Sequence, residues 1–127
     1  GWVSAEDVQS HLRSARALVF PSLLYETQGL AVMEALSQGV PAIVSTGIAA
    51  SGLIDNTETG FLFEMGNVDD LTEKLRTLFA SEAVSTMGLK AYEKYWHAPA
   101  TIENHVHELS VIYQQILEEH QAASTTL

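Results

Sequence analysis

The sequence predicts an α/β fold: half of a Rossmann-like parallel sheet, about three strands, with flanking helices. Three observations carry this. Ala17-Leu18-Val19-Phe20 and Pro41-Ala42-Ile43-Val44-Ser45 are short apolar runs bounded by turn residues, as expected of strands covered on both faces. Around them, apolar residues recur at helical spacings of three and four. The resulting order is helix, strand, helix, strand, strand with short connections, which favours parallel pairing. A doubly wound sheet normally has about six strands, so the remaining ones are expected upstream of Gly1.

Ser4-Ala5-Glu6-Asp7 places a hydroxyl three residues before a carboxylate, a helix-start pattern. Val8, Leu12 and Ala15 then define one apolar face through about Arg16. Residues 21–29 read as a loop, and Gly29-Leu30 opens a second helix carrying Met33, Ala35 and Leu36. Gly39 stands where a helix C-terminal glycine belongs, and Pro41 prevents continuation. Residues 46–52 hold two Gly and two Ala, so backbone there can approach a ligand or a neighbouring element. A turn at Asp55-Asn56 and the pair Thr59-Gly60 precede a third strand, Phe61-Leu62-Phe63. Asn67 or Asp69 caps a helix with Leu71, Leu75, Leu78 and Phe79 on one side. A further helix is expected over 82–95, and a last one from about Thr101 to Glu119. Its stripe, Ile102, Val106, Leu109, Tyr113 and Ile116, reads as core-facing. Residues 1–119 are thus expected to form one partial domain, with 120–127 a frayed tail.

Composition bounds the function. There are 127 residues, 46% of them apolar, enough for one core. The absence of Cys excludes thiolate chemistry and disulfides. No apolar run approaches the roughly 18–20 residues of a membrane span, and nothing resembles a secretory signal. With 16 Asp+Glu against 6 Lys+Arg the net charge is −10, which disfavours nucleic acid as a partner. His105 and His107, two residues apart on a helix, face different sides, and the other His lack spaced partners, so no metal site is expected.

Candidate chemistry concentrates between Pro21 and Gly60. Glu26 and Glu34 are separated by seven residues, with Gly29 between them and Gly39-x-Pro41 after. On one continuous helix that step would span roughly 12 Å. Here Glu26 falls in the loop and Glu34 in the second helical turn, so both can flank one elongated polar ligand. The N–H groups of Gln28, Gly29, Leu30 and Ala31 would point out of the helix start, where donors and dipole suit a phosphate. Gly29, lacking a Cβ, would let that ligand approach. The mouth between strand and helix is also where open α/β sheets bind ligands.

Pro21-Ser22, Glu26-Thr27-Gln28-Gly29-Leu30, Glu34-Ala35, Gly39-Val40-Pro41 and Thr59-Gly60 together resemble the donor-domain signature of GT-B glycosyltransferases. The match is to the C-terminal domain of retaining family 4, group 1 type, over roughly residues 1–119. The resemblance implies that Glu34 binds the ribose hydroxyls of a nucleoside-diphosphate sugar. It makes Glu26 the candidate catalytic residue, a positioning group on the donor sugar rather than a nucleophile. Gln28, Gly29 and Leu30 would hold sugar and diphosphate through backbone amides. It further implies sugar transfer to an acceptor hydroxyl with retained configuration, with no cofactor and no metal.

The sequence departs from the family at Gln28, Thr46, Ile48-Ala49 and Gly52, and the basic residues that neutralise the diphosphate have no counterpart here. They and an N-terminal domain are expected upstream, leaving the isolated chain inactive. The location implied is cytoplasmic, with membrane attachment of the whole protein left open. Two other readings stay open: a GT-B nucleotide-sugar epimerase, and a non-catalytic α/β interaction module. The missing strands would leave an exposed edge on the Ala17–Phe20 strand, so homodimerisation of the fragment is an expectation.

Overall fold

The computed structural model describes residues 1–80 and 82–125, and the side chains of these up to residue 121. They fall into two units, Gly1–His97 and Ala98–Leu127. In the first, the order is α1 (Ala5–Ser14), β1 (Leu18–Phe20), α2 (Leu30–Ser37), β2 (Ala42–Ser45), a 3-10 helix (Ala49–Leu53), β3 (Gly60–Phe63), α3 (Val68–Ala80) and α4 (Val84–His97). The three strands form one parallel sheet in the order β1-β2-β3. Leu18 pairs with Ala42, and Ala42 with Gly60. The α/β class and strand count agree with the sequence reading.

Alternation along the strands divides the core between two faces. Ala42 and Val44 pack with Val32, Leu36, Ile48, Ala50 and Ala91, joined by Leu18, Phe20 and Leu62. This is the face covered by α2, the 3-10 helix and α4. Ile43, Phe61 and Phe63 face the other way, against Leu78 and Met87 with Leu71 and Leu75. A smaller cluster, Leu12, Ala35 and Val40 with Val8, seats α1 on α2. Burial on both faces, expected of the first two strands, holds for β2, every residue of which is buried. It fails for β1. Val19 is 37% exposed because β1 lies at the sheet edge while the helix on that face, α3, packs over β2 and β3.

The helix ends follow from local chemistry. Ser4 and Asp7 form a reciprocal capping box on α1. At the end of α2, Gly39 adopts a positive φ of 73°, its N–H donates to Leu36 O, and the Val40 N–H donates to Ala35 O. This double closure satisfies carbonyls the helix leaves open, and the left-handed residue is comfortable only as glycine. Asn67, not Asp69, caps α3, its side-chain oxygen accepting the Asp70 N–H at 3.0 Å. Phe79 does not join the Leu71/Leu75/Leu78 stripe. It is 63% exposed, with the Arg16 guanidinium 6.0 Å from its ring centroid. Helix α4 runs to His97, two residues past the expected end.

The second unit is α5 (Ile102–Thr125), capped by the Thr101 hydroxyl, which accepts the Asn104 N–H. It extends past Glu119; of the tail expected to fray, Thr126 and Leu127 lie outside the described residues. Within this unit Ile102, Val106, Tyr113 and Ile116 are exposed and Leu109 is half-buried. Among the described residues no helix is long and apolar enough to cross a membrane.

Two predictions follow from these turns. Thr57 has φ 72° in the loop before β3, a conformation that costs a β-branched residue about 1–2 kcal/mol. Thr57→Gly therefore raises the melting temperature by a few degrees, after the entropy glycine returns to the unfolded chain is subtracted; a lower value would contradict the strain. Asp70 accepts the Glu64 N–H at 2.7 Å and the Lys74 ammonium at 3.1 Å, and these two bonds hold its carboxyl below the usual value. Its stabilisation is complete above the unfolded value near pH 4 and disappears as pH falls through the lower folded one. Melting between pH 6 and pH 2 should show that loss, and Asp70→Asn should reduce its size.

Candidate functional site

The connection from β1 to α2 leaves the sheet at its carboxyl edge. Its first turn is closed by Ser22, whose hydroxyl accepts the Leu24 N–H at 3.3 Å. Ser45, the last residue of β2, donates its hydroxyl to the Ser22 carbonyl at 2.7 Å. Past this point Leu23, Leu24 and Tyr25 are exposed, and Glu26 is half-buried. Phe20, Glu26, Thr27, Gln28, Gly29, Leu30 and Ala31 then line an open groove of about 330 Å³.

Gly29 caps α2 with φ 67° and ψ 50°. Its carbonyl accepts the N–H groups of Val32 and Met33, so the helix winds from this residue. Among the described residues, the N–H groups of Gln28, Gly29, Leu30 and Ala31 have no hydrogen-bond partner, and no side chain caps the helix. Its first turn carries no acid to oppose an incoming anion. The groove is therefore lined with unused donors at the positive end of a helix, an arrangement suited to phosphate.

The need for glycine at 29 has a different origin from the one the sequence suggested. A Cβ built there would run into the methyl of Ala50, which is fully buried in the 3-10 helix. The bare Cα lets α2 seat against that helix, and it permits the left-handed backbone. Ligand clearance is not what excludes a side chain. Of the small residues at 46–52, Ala50 makes this close approach, whereas Gly52 faces open space.

Of the predicted site residues, Glu26, Gln28, Gly29 and Leu30 share the groove. Glu34 does not line it: it is exposed in the second turn of α2, about 6 Å along the axis from Leu30. Neither glutamate carboxylate has an ion-pair or hydrogen-bond partner among the described residues. No lining residue is basic. Lys74, Lys90 and Lys94 pair with Asp70, Glu58 and Asp55 elsewhere. Reasoning from sequence placed Ala50 only among the small residues of 46–52 and missed Ser45. Ser45 carries no signal beyond being a hydroxyl at the end of an apolar strand.

Comparison with known proteins agrees with this architecture. The sequence profile of group 1 glycosyl transferases matches residues 1–81. A sulfoquinovosyl transferase of Arabidopsis thaliana is 33% identical over 109 residues, covering 80% of this chain and 21% of that protein. An Escherichia coli α-1,3-galactosyltransferase acting on GlcNAc-diphosphoundecaprenol with UDP-Gal is 31% identical over 94 residues, covering 74% of this chain and 24% of that protein. The chain thus spans about a fifth to a quarter of the curated relatives it matches. Among solved structures, a sucrose-phosphate synthase of Thermosynechococcus elongatus superposes with a TM-score of 0.80 at 25% identity, over 94% of this chain and 30% of that one. An Anabaena protein in complex with UDP and glucose superposes with a TM-score of 0.68 at 19% identity, over 91% of this chain and 30% of that one, a likeness of fold. With the profile covering well over half of its length and the three-stranded parallel sheet and its flanking helices superposing on a solved relative, this chain belongs to the group 1 glycosyl transferases.

Proposed function

We propose that this chain is the donor-binding segment of a retaining glycosyltransferase that moves a sugar from a nucleoside diphosphate to an acceptor hydroxyl. The observation that carries the reading is the groove at the start of α2, lined by Glu26 and by residues 28–31, whose carboxylate and four backbone amides have no partner among the described residues. The amides of Gln28, Gly29 and Leu30 would hold the diphosphate, whose charge the helix end favours. Glu26 would accept hydrogen bonds from hydroxyls of the sugar and orient it. Glu34, free on the outer face of α2, would receive the ribose. Retention and the donor are this reading's own. They are supported by the family, by the glutamate spacing and by the UDP in the Anabaena neighbour. The reaction as read needs no metal and no cofactor.

The groove lining offers no positive charge, so the full enzyme must neutralise the diphosphate with residues from its other parts. The proposed partners are therefore a nucleotide sugar, an acceptor and an N-terminal domain. The proposed location is cytoplasmic, with the acceptor drawn from polysaccharide or glycolipid assembly.

Titration of the full-length polypeptide with UDP-, GDP- and ADP-sugars tests the reading. Glu34→Ala should weaken nucleotide binding roughly 10-fold or more, the range expected when a hydrogen bond to a charged group is removed. Glu26→Gln should leave the free nucleoside diphosphate within about threefold of wild type while slowing transfer by roughly 10–100-fold. Unchanged donor affinity in Glu34→Ala would point to an interaction module instead. A labelled donor recovered as its epimer, with no acceptor product, would point to the epimerase. The product anomer decides retention.

The open edge of β1 carries a second prediction. Val19 is partly exposed there and the strand has a neighbour on one side only. The isolated 127-residue chain should associate through that edge. Light scattering that shows a monomer at high concentration would refute it.

A further inference from the structure

We infer that Ser45 is a positioning residue for the sugar side of the groove, acting by pinning the loop that carries Glu26. The inference rests on the donor-site reading above and assigns a role within it.

Ser45 is completely buried at the end of β2, whose other residues, Ala42, Ile43 and Val44, are apolar. A hydroxyl in such a place costs stability unless it is bonded. Its bond goes to no element of the sheet. It reaches 23 residues back in sequence to the Ser22 carbonyl, at 2.7 Å. Ser22 then closes the next turn on Leu24 through its own hydroxyl, with Leu24 N–H donating at 3.3 Å and Leu24 O accepting at 3.2 Å. Glu26 follows two residues later.

The other end of the same loop is seated on Ala50 through Gly29. Both anchors, Ser45 and Ala50, belong to the short segment leaving β2. They hold different parts of the groove. Ala50 fixes the helix start and the amides of residues 28–31; Ser45 fixes the stretch from Ser22 towards Glu26. Removing the Ser45 hydroxyl leaves the Ser22 carbonyl without its buried donor and frees the Glu26 side, while the amide cluster keeps its seat. The effect should fall on the sugar more than on the diphosphate.

The test compares binding of UDP-glucose and of UDP by the full-length polypeptide in wild type, Ser45→Ala and Ser45→Thr, together with hydrogen exchange at the Leu24 amide. Ser45→Ala should weaken UDP-glucose about 10-fold, the scale of a lost buried hydrogen bond, and leave UDP within about twofold. Exchange at Leu24 should accelerate. Ser45→Thr, which keeps the donor, should restore the preference for UDP-glucose. Equal weakening of both ligands, or no weakening, overturns the inference, and so does a Thr variant that folds like wild type but binds like Ala. If the Ala variant does not fold, Ser45→Cys, a weaker donor of similar size, should fall between wild type and the loss expected of Ala. A Cys variant indistinguishable from wild type then counts against it. Should wild type bind neither ligand, the donor-site reading loses its support from UDP. Leu24 exchange then decides the Ser45 role alone, unchanged exchange in the variant refuting it.

Discussion

The methyl group of Ala50 occupies the space that a side chain at residue 29 would need. The rest of the site depends on that contact. It obliges residue 29 to be glycine, and glycine in turn permits the left-handed turn with which α2 begins. Among the described residues, the amides of residues 28–31 beside that turn have no hydrogen-bond partner. A donor array at a helix start is common; here it is fixed by a core contact behind it, so the groove is as rigid as the packing of Ala50 against the sheet. Glycine at this position is a demand of the interior, although it sits at the rim of the candidate groove.

Much of the fold was legible because its signals are local. The reciprocal Ser4/Asp7 cap, the double closure over Gly39 and the fully buried β2 are each specified within a few residues. What was not legible depends on neighbours the sequence does not display. Val19 is as apolar as Ile43, yet it is exposed because strand order places it at an edge. Phe79 has the spacing of a core residue only approximately, and one helical step turns it outward to Arg16. The periodicity of α5 gave a face but not its covering. The site shows the same division. Spacing and residue type brought Glu26, Gln28, Gly29 and Leu30 to one groove. Of the supports behind them, Ala50 lies in the small-residue stretch the sequence displays, whereas the reach of Ser45 to Ser22 carries no pattern a single sequence reveals.

Charge divides the labour of the site. The chain is acidic, its lysines are paired away from the groove, and the groove itself offers backbone dipoles in place of cations. Amide donors recognise phosphate oxygens by geometry but neutralise little of their charge. On the donor-site reading proposed above, such a segment would supply orientation and leave charge compensation to residues elsewhere in the enzyme.

The contact between α2 and α4 ends in an indole. Trp96 donates its Nε1 hydrogen to the Ser37 carbonyl at 3.1 Å and packs edge-on to Tyr95, with ring centroids 5.2 Å apart. The other tryptophan, Trp2, is fully in solvent. Intrinsic fluorescence is therefore a sum of two unlike emitters. Trp2 emits as a solvated indole, whereas Trp96, 49% exposed and hydrogen-bonded to α2, loses that bond when α4 leaves the C-terminal end of α2.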